Sequence, residues 1–108
     1  MRRGDIYSVD LDPVIGHEQR GRRPVLIVSA DDYNMNFLPL VCPITSGGAY
    51  VRAKGFAVPV LGGKTTGVVL CNQARTLDIK ERKGRWVEAA DANVLQQTLW
   101  VLQDIVAD

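Results

Sequence analysis

The sequence has few of the residues that build metal sites and disulfide frameworks. It contains two cysteines and one histidine among 108 residues. Cys42 and Cys71 each lie in an apolar run, without CxxC or Cys/His spacing. We therefore expect buried free thiols, and neither a disulfide framework nor a structural zinc. No cofactor or catalytic metal is predicted.

Long hydrophobic runs are also missing. No apolar stretch is long enough to span a bilayer, and the first residues lead into strand-like sequence without the apolar core of a signal peptide. These absences predict a cytoplasmic protein with no membrane partner. With 108 residues and 46% hydrophobic content, the chain is expected to form a single domain over residues 1–108.

Charge is balanced in sum but uneven along the chain. The formal net charge is +1, yet residues 52–85 carry eight basic and two acidic side chains, and residues 86–108 carry four acids and no Lys or Arg. Such segregation predicts one positive face that can bind a polyanion. The alternative, scattered solvated charges, stays open until the fold is known.

The pattern of apolar residues predicts several short strands and one long helix. Strands are expected at 5–11, 24–29, 38–45, 56–60, 68–71, 74–77 and 85–88, with helical turns at 30–36, capped by Ser29, and near 80–82. Pro39 and Pro43 favour an edge strand or a bulge for 38–45. Short strands followed by a terminal helix predict a mainly β fold, a small and strongly bent barrel.

The predicted helix spans Asp91 to Val106 and carries one apolar stripe at helical period. Its members are Val94, Leu95, Thr98, Leu99, Leu102, Ile105 and Val106. We expect this stripe to lie against the strands. Trp100 and Val101 fall off the stripe, and the large exposed aromatic suggests a subunit or partner contact.

The segment from Asp12 to Pro24 separates two predicted strands and is dense in polar groups. It holds the only histidine, one Glu, one Gln, three Arg and two Gly, with almost nothing to bury. Polar groups at this density indicate a functional loop, and His17 among arginines points to phosphate chemistry. A solvated surface loop is the alternative reading.

Short motifs spread over nearly the whole chain occur in one order. They are Arg2-Arg-Gly-Asp-Ile6, Asp12-Pro13, Gly16-His-Glu-Gln19, Gly21, Arg23-Pro-Val-Leu26, Pro43-Ile-Thr-Ser-Gly-Gly48, Ala53-Lys-Gly-Phe56, Thr65-Thr-Gly-Val-Val69 and Asn72-Gln-Ala-Arg75. In these motifs the chain resembles the PemK/Kid and MazF toxins of bacterial type II toxin-antitoxin modules. The resemblance implies an SH3-like barrel of the PemK/Kid/CcdB type that forms a homodimer.

The same resemblance implies a metal-independent endoribonuclease that cuts single-stranded RNA, with mRNA the expected target, and thereby inhibits growth. It also implies a cognate antitoxin as partner. The toxin would then be associated with DNA only indirectly, through its complex with the antitoxin. Cleavage without a metal needs a base for the ribose 2′-hydroxyl, donors for the phosphate and an acid for the leaving 5′-oxygen. Because only RNA has that hydroxyl, the mechanism excludes DNA as substrate.

The resemblance also assigns residues to the site. Arg23 and Thr45 match the family's Arg and Thr at the scissile phosphate, and His17 matches a loop His with a proton-transfer or positioning role. A structural loop histidine is the alternative for His17. The expected RNA-binding shell consists of Glu18, Gln19, Ser46, Arg52, Asn72, Gln73 and Arg75. Tyr50, Arg52 and Phe56 could stack on bases, although Phe56 is also a candidate core residue.

One motif departs from the PemK/Kid pattern. Where that branch has an Arg and an Asp counted as catalytic, this chain has Leu70 and Asn72. An uncharged amide cannot act as a general base, so that role does not transfer. The ChpB-like toxins resemble this chain in having Leu and Asn there. His17, Arg23 and Thr45 are therefore the main candidates for the catalytic roles. Two alternatives remain on the same fold: an RNA-binding protein without activity, and a gyrase poison.

Overall fold

The computed structural model describes residues 1–10, 21–47 and 52–107. The elements in chain order are β1 (Asp5–Asp10), β2 (Arg22–Ile27), α1 (Asp31–Asn36), β3 (Leu40–Thr45), β4 (Ala57–Pro59), β5 (Val68–Leu70), a 3₁₀ helix (Cys71–Gln73), β6 (Arg75–Thr76), β7 (Arg85–Ala89) and α2 (Ala92–Val106). The predicted strands and the long terminal helix are therefore present, with boundaries shifted by a few residues.

The seven strands form one antiparallel sheet. Its order is β4-β5-β3-β2-β1-β7, and β6 pairs with β3 beside β5. The mainly β class with a C-terminal helix is confirmed. Among the described residues the end strands β4 and β7 are not paired with each other, so the barrel is open on that side.

Apolar residues of β2 pack on both faces of the sheet. Successive side chains of a strand point to opposite faces, so Val25 and Ile27 belong to one cluster and Leu26 to the other. The smaller cluster contains Val9, Val25, Ile27, Val41, Leu77 and Ile79. The larger one contains Ile6, Leu26, Val28, Cys42, Ile44, Val58, Val60, Val69, Cys71 and Val94. Burial on both faces explains the continuous apolar run of β2.

β3 is not the edge strand that its prolines suggested. It pairs with β2 on one side, and on the other with β6 at Leu40 and Val41 and with β5 at Ile44 and Thr45. Pro43 pairs with Val25 of β2, but on the other side it falls in the gap between the β6 and β5 pairing segments, where a missing N–H breaks no recorded pair. The prolines therefore mark an interruption inside the sheet rather than its edge.

The cap of α1 also differs from the prediction. The N-cap residue is Ala30, and no side chain caps this helix. The Ser29 hydroxyl instead accepts a hydrogen bond from the Leu40 backbone N–H at 2.9 Å and contacts the Asn34 side chain. Ser29 thus connects α1 to the start of β3.

α2 begins as predicted, with the Asp91 carboxylate accepting a hydrogen bond from the Asn93 N–H at 2.8 Å. Val94 and Thr98 are buried against the sheet, but Val106, at the end of the predicted stripe, is 84% exposed. Val101 packs against the larger cluster, so its placement off the core face was wrong. Trp100 is exposed, as predicted.

A carboxylate holds the turn before β5 against β7. The Glu88 side chain accepts hydrogen bonds from the Lys64 N–H at 3.0 Å, from the Thr65 N–H at 2.8 Å and from the Thr65 hydroxyl at 2.7 Å. The hydroxyl bond first, and then the backbone N–H bonds, lower the pKa of Glu88. A Cβ at Gly63 would overlap this carboxylate, which explains the glycine there.

Cys42 and Cys71 are buried free cysteines, as predicted. Burial raises the pKa of Cys42 to about 12 and the pKa of Cys71 to about 11. Both are therefore protonated thiols at neutral pH, with a packing role. Within the described part of the chain, no helix combines the length and apolar character that crossing a membrane requires.

Candidate functional site

The register between β2 and β3 brings Arg23 and Thr45 together. The recorded pairs are Val25 with Pro43, Leu26 with Cys42 and Ile27 with Val41. Continued by two residues, the same register sets Arg23 opposite Thr45, on the face that carries Val25 and Pro43. The two predicted catalytic residues that the structure describes thus lie at the same end of neighbouring strands.

Arg22 and Arg23 are adjacent but occupy opposite faces of β2. The Arg22 guanidinium is held in place: Nε donates to the Ser8 hydroxyl at 3.0 Å and Nη2 to the Ser8 carbonyl at 2.6 Å. It also contacts the Lys83 carbonyl and forms an ion pair with Asp10 at 3.5 Å. Arg23 is exposed on the other face, across from Val9 of β1. Arg22 therefore fastens strands, while Arg23 can reach a ligand.

Thr45 is half-buried at the end of β3. Its Oγ1 accepts a hydrogen bond from the Gly47 N–H at 3.2 Å, which leaves the hydroxyl proton able to donate to a ligand. The exposed Ser46 follows it in the chain. Gly67 has φ +126°, and a Cβ there would lie 2.5 Å from the Thr45 carbonyl oxygen. The sequence alone does not indicate that Gly67 is the residue that lets β5 approach Thr45.

Gln73 and Arg75 extend the same face. They line a cavity of about 150 Å³ whose apolar wall is formed by Val25, Val41, Pro43 and Leu77. Arg75 lies across from Val41 in the β3–β6 pairing, which places it on the side of Val25 and Pro43. We call this surface the site face: Arg23, Thr45, Gln73 and Arg75 around the apolar floor of Val25, Val41 and Pro43.

Asn72 does not join the site face. It lines a groove of about 590 Å³ beside α2. Consecutive residues of a 3₁₀ helix point about 120° apart, since three residues complete a turn, and this separates Asn72 from Gln73. We call this the α2 groove; its other lining residues are Arg3, Val28, Ser29, Leu40, Cys71, Ala74, Leu99, Leu102, Gln103, Ile105 and Val106.

The structure describes only some of the remaining predicted site residues. Arg52 is exposed in a short helical turn, where its carbonyl accepts a hydrogen bond from the Gly55 N–H at 3.0 Å. Phe56 is 38% exposed, so it is not a core residue. His17, Glu18 and Gln19 lie outside the described residues, as does Tyr50.

The site face combines two guanidinium groups, a hydroxyl and an amide around an apolar floor. Guanidinium groups offer fixed donors that match phosphate oxygens, and the hydroxyl can add a further donor. Within residues 1–10, 21–47 and 52–107, no three His, Cys, Asp or Glu side chains are grouped to hold a metal ion. The described part of the site is therefore suited to binding a phosphodiester.

Comparison with known proteins shows the family to which the chain belongs. Residues 2–106 match the family described as "PemK-like, MazF-like toxin of type II toxin-antitoxin system". The chain belongs to this toxin family.

Curated relatives of the chain are endoribonucleases. It is 47% identical over 109 residues to the endoribonuclease PemK of Escherichia coli, covering 98% of this chain and 82% of that protein. It is 42% identical to the endoribonuclease toxin ChpB of E. coli K12, covering 98% and 94%. A crystal structure of MazE-MazF from Deinococcus radiodurans aligns with TM-score 0.84 at 31% identity, covering 98% and 95% of the two chains.

Proposed function

We propose that this chain, an endoribonuclease of the toxin family, cleaves single-stranded RNA without a metal ion. The ribose 2′-hydroxyl attacks the adjacent phosphorus, the bond to the 5′-oxygen breaks, and the products are a 2′,3′-cyclic phosphate and a 5′-hydroxyl. The observation that carries the proposal is the β2–β3 register, which sets Arg23 and Thr45 at one end of the same face. Inhibition of translation, and thereby of growth, would follow if the substrate is mRNA.

Arg23 and Thr45 stabilise the phosphate as it becomes crowded and more negative. The Arg23 guanidinium donates to non-bridging oxygens, and the Thr45 hydroxyl adds a donor to the same group. Both are held by strand backbone, so the donors need little reorganisation on reaction. Val25 and Pro43, on the same face of the sheet, form part of the apolar floor next to these donors.

His17 is the proposed proton-transfer group because it is the only side chain type here with an ordinary pKa near neutrality. Asn72 cannot take the place of a catalytic carboxylate, and it lines the α2 groove rather than the site face. The proposed base-reading and phosphate-positioning shell comprises Glu18, Gln19, Ser46, Arg52, Asn72, Gln73 and Arg75. Of the described members, Gln73 and Arg75 flank the apolar floor directly.

The proposed partners are a cognate antitoxin and a second copy of the chain. The aligned Deinococcus structure is a toxin with its antitoxin, MazE-MazF. We place a homodimer contact on the outer surface of α2, from Trp100, which is 57% exposed, to the end of the α2 groove, where Ile105 and Val106 are 41% and 84% exposed. The toxin would act in the cytoplasm, and DNA would be reached only through the antitoxin complex.

The test is cleavage of a defined single-stranded transcript in EDTA, with both new ends mapped. We expect cuts at a limited set of sites, each with a cyclic phosphate and a 5′-hydroxyl. A transcript with a single 2′-deoxy substitution at a mapped site is the matched control, and it should resist cleavage there alone. Intact RNA with folded protein would refute the activity; binding of RNA without cleavage would support the non-catalytic alternative.

A further inference from the structure

A second polar cavity lies next to the site face. It has a volume of about 400 Å³ and is lined by Asp10, Arg75, Thr76, Leu77, Asp78, Glu81 and Arg82. Arg75 and Leu77 also line the smaller cavity of the site face. The two cavities therefore share a wall, and an RNA strand bound at Arg23 and Arg75 passes directly beside the larger one.

Most charged groups of this cavity already have partners. The Asp10 carboxylate pairs with Arg22 at 3.5 Å, and Arg82 Nη1 donates to the Asp10 carbonyl at 3.2 Å. Asp78 Oδ1 accepts a hydrogen bond from the Glu81 N–H at 3.0 Å. The Glu81 side chain is exposed and forms no hydrogen bond or ion pair with any described residue. Both of its oxygens are therefore available to accept hydrogen bonds from a ligand.

The mixture of charges suits a nucleobase better than a phosphate. The lining carries three carboxylates and two guanidinium groups, and the negative charges, which repel a phosphate, outnumber the positive ones. An ionised carboxylate accepts hydrogen bonds from base N–H groups. Guanine alone presents two adjacent donors, N1–H and N2–H, to the two oxygens of one carboxylate. Its O6 then needs a donor, which a neighbouring guanidinium supplies. Uracil offers one N–H between two carbonyl oxygens, and these oxygens would face the carboxylate.

We propose that this cavity is a specificity subsite that takes a guanine adjacent to the cleaved phosphodiester, with Glu81 accepting from its Watson–Crick edge. The inference rests on the proposed function, since it concerns the sequence preference of the same RNA site. Single-stranded RNA is usually read in this way, by hydrogen bonds to bases turned out of the stack. Arg75 positions the backbone between this subsite and the site face.

The first test measures binding without cleavage, by NMR titration of the protein with GMP and with UMP. We expect GMP to shift backbone amides between Thr76 and Arg82 and to bind roughly tenfold more tightly than UMP. Glu81→Gln should remove that preference, because the amide offers only one acceptor. Asp104→Asn, the same charge change on the exposed part of α2, should retain it. Equal affinities, or shifts confined to other segments, would overturn the subsite.

The second test maps cleavage on an RNA library randomised around the cut. Wild-type protein should favour guanine at one position flanking the cut, and Glu81→Gln should lose most of that preference while still cleaving. If the wild type cleaves with no guanine preference, the subsite is wrong and the nuclease proposal stands. If GMP binds at the cavity but no RNA is cut, the nuclease proposal fails and the guanine site stands.

Discussion

The site face and the α2 groove lie on opposite sides of β3, and their chemistry differs. Val41 and Pro43 face the first, where they form a floor beneath charged and polar side chains. Leu40 faces the second, whose lining is largely apolar. Because strand side chains alternate, one short strand serves a surface suited to phosphate and a surface suited to burial. The two surfaces are thus separated by a single residue step along β3.

The largest expected effect comes from removing the guanidinium of the site face. Arg23→Ala should lower kcat/KM for RNA by at least about a hundredfold, as loss of a donor to developing charge does. Because Arg23 is exposed, the variant should stay folded, and the free energy of unfolding should fall by no more than about 1 kcal/mol. Single-turnover cleavage and thermal denaturation measure the two quantities.

Arg85→Ala is the matched control for that variant, since Arg85 is exposed on β7, at the far edge of the sheet. It should cleave within about threefold of wild type, as surface changes away from a site do. Wild-type turnover by Arg23→Ala would remove the site face from the mechanism.

The Thr45 hydroxyl on β3 is expected to contribute less to the cleavage rate than the Arg23 guanidinium. Thr45→Val keeps the shape of the side chain but removes the donor, and should lower kcat by about tenfold to a hundredfold with little change in KM. Thr66→Val, an exposed threonine outside the site face, should leave kcat unchanged. Equal kcat values for the two variants would show that Thr45 acts only through the backbone turn at Gly47.

Arg22→Ala should show the opposite profile to Arg23→Ala. It removes the bonds to Ser8 and Lys83 and the ion pair to Asp10, and should lower the free energy of unfolding by about 2 kcal/mol. Chemical denaturation measures this loss, and kcat at a temperature where the variant stays folded should remain near wild type. A stable but inactive Arg22→Ala would mean that the two arginines share the catalytic role.

A change in the α2 groove should affect association instead of chemistry. Val106→Glu sets a charge at the exposed end of the groove and should raise the dimer Kd at least tenfold, as a charge at an apolar contact does. Leu61→Glu, the matched control, adds the same charge to an exposed apolar side chain outside α2. Analytical ultracentrifugation compares the two, and identical masses for both variants would contradict the proposed contact.

The smallest effect is expected at Glu88, away from both surfaces. Glu88→Gln should lower the free energy of unfolding at neutral pH by about 1 kcal/mol, at the low end for bonds to a partly exposed charge. Since the folded-state pKa of Glu88 lies below its ordinary 4.5, its contribution is complete above that value and is lost as pH falls through the lowered pKa.

The difference between wild type and Glu88→Gln should therefore be constant from neutral pH down to about 4.5 and shrink as the pH falls further. Glu81→Gln, whose carboxylate has no partner among the described residues, should show no such dependence. Urea denaturation as a function of pH measures both variants. A difference that stays constant even below about pH 4.5 would show that the turn is not held by the ionised carboxylate.

The local pattern of the sequence was sufficient to predict much of the fold. The apolar stripe of α2, the strand-like runs and the two buried thiols follow from periodicity and composition, because these depend on neighbouring residues. The edge assignment of β3 failed because a proline reports a missing N–H and not which strands flank it. Val101 was misplaced because strict helical period ignores how far the surrounding sheet curves around the helix.

The sequence likewise predicted the residues of the candidate site better than it predicted how the structure groups them. Arg23, Thr45, Gln73 and Arg75 were named from their motifs; Gln73 and Arg75 line a cavity with Val25, Val41 and Pro43, and continuing the β2–β3 register sets Arg23 and Thr45 on the same face. Asn72 was grouped with Gln73, yet the two line different cavities. Neighbours in the chain diverge when a helical turn separates their side chains, and no local pattern shows which of them faces the sheet.

By itself the sequence determined the family, the mainly β class and the residue types available for phosphate chemistry, since motifs and periodicity are local properties. Only the tertiary structure decided that Arg22 holds strands together while Arg23 is exposed on the other face of β2, that Asn72 lines the α2 groove, and that Glu81 and Arg75 line one cavity. These outcomes depend on strand register, which is set by contacts between residues far apart in the chain.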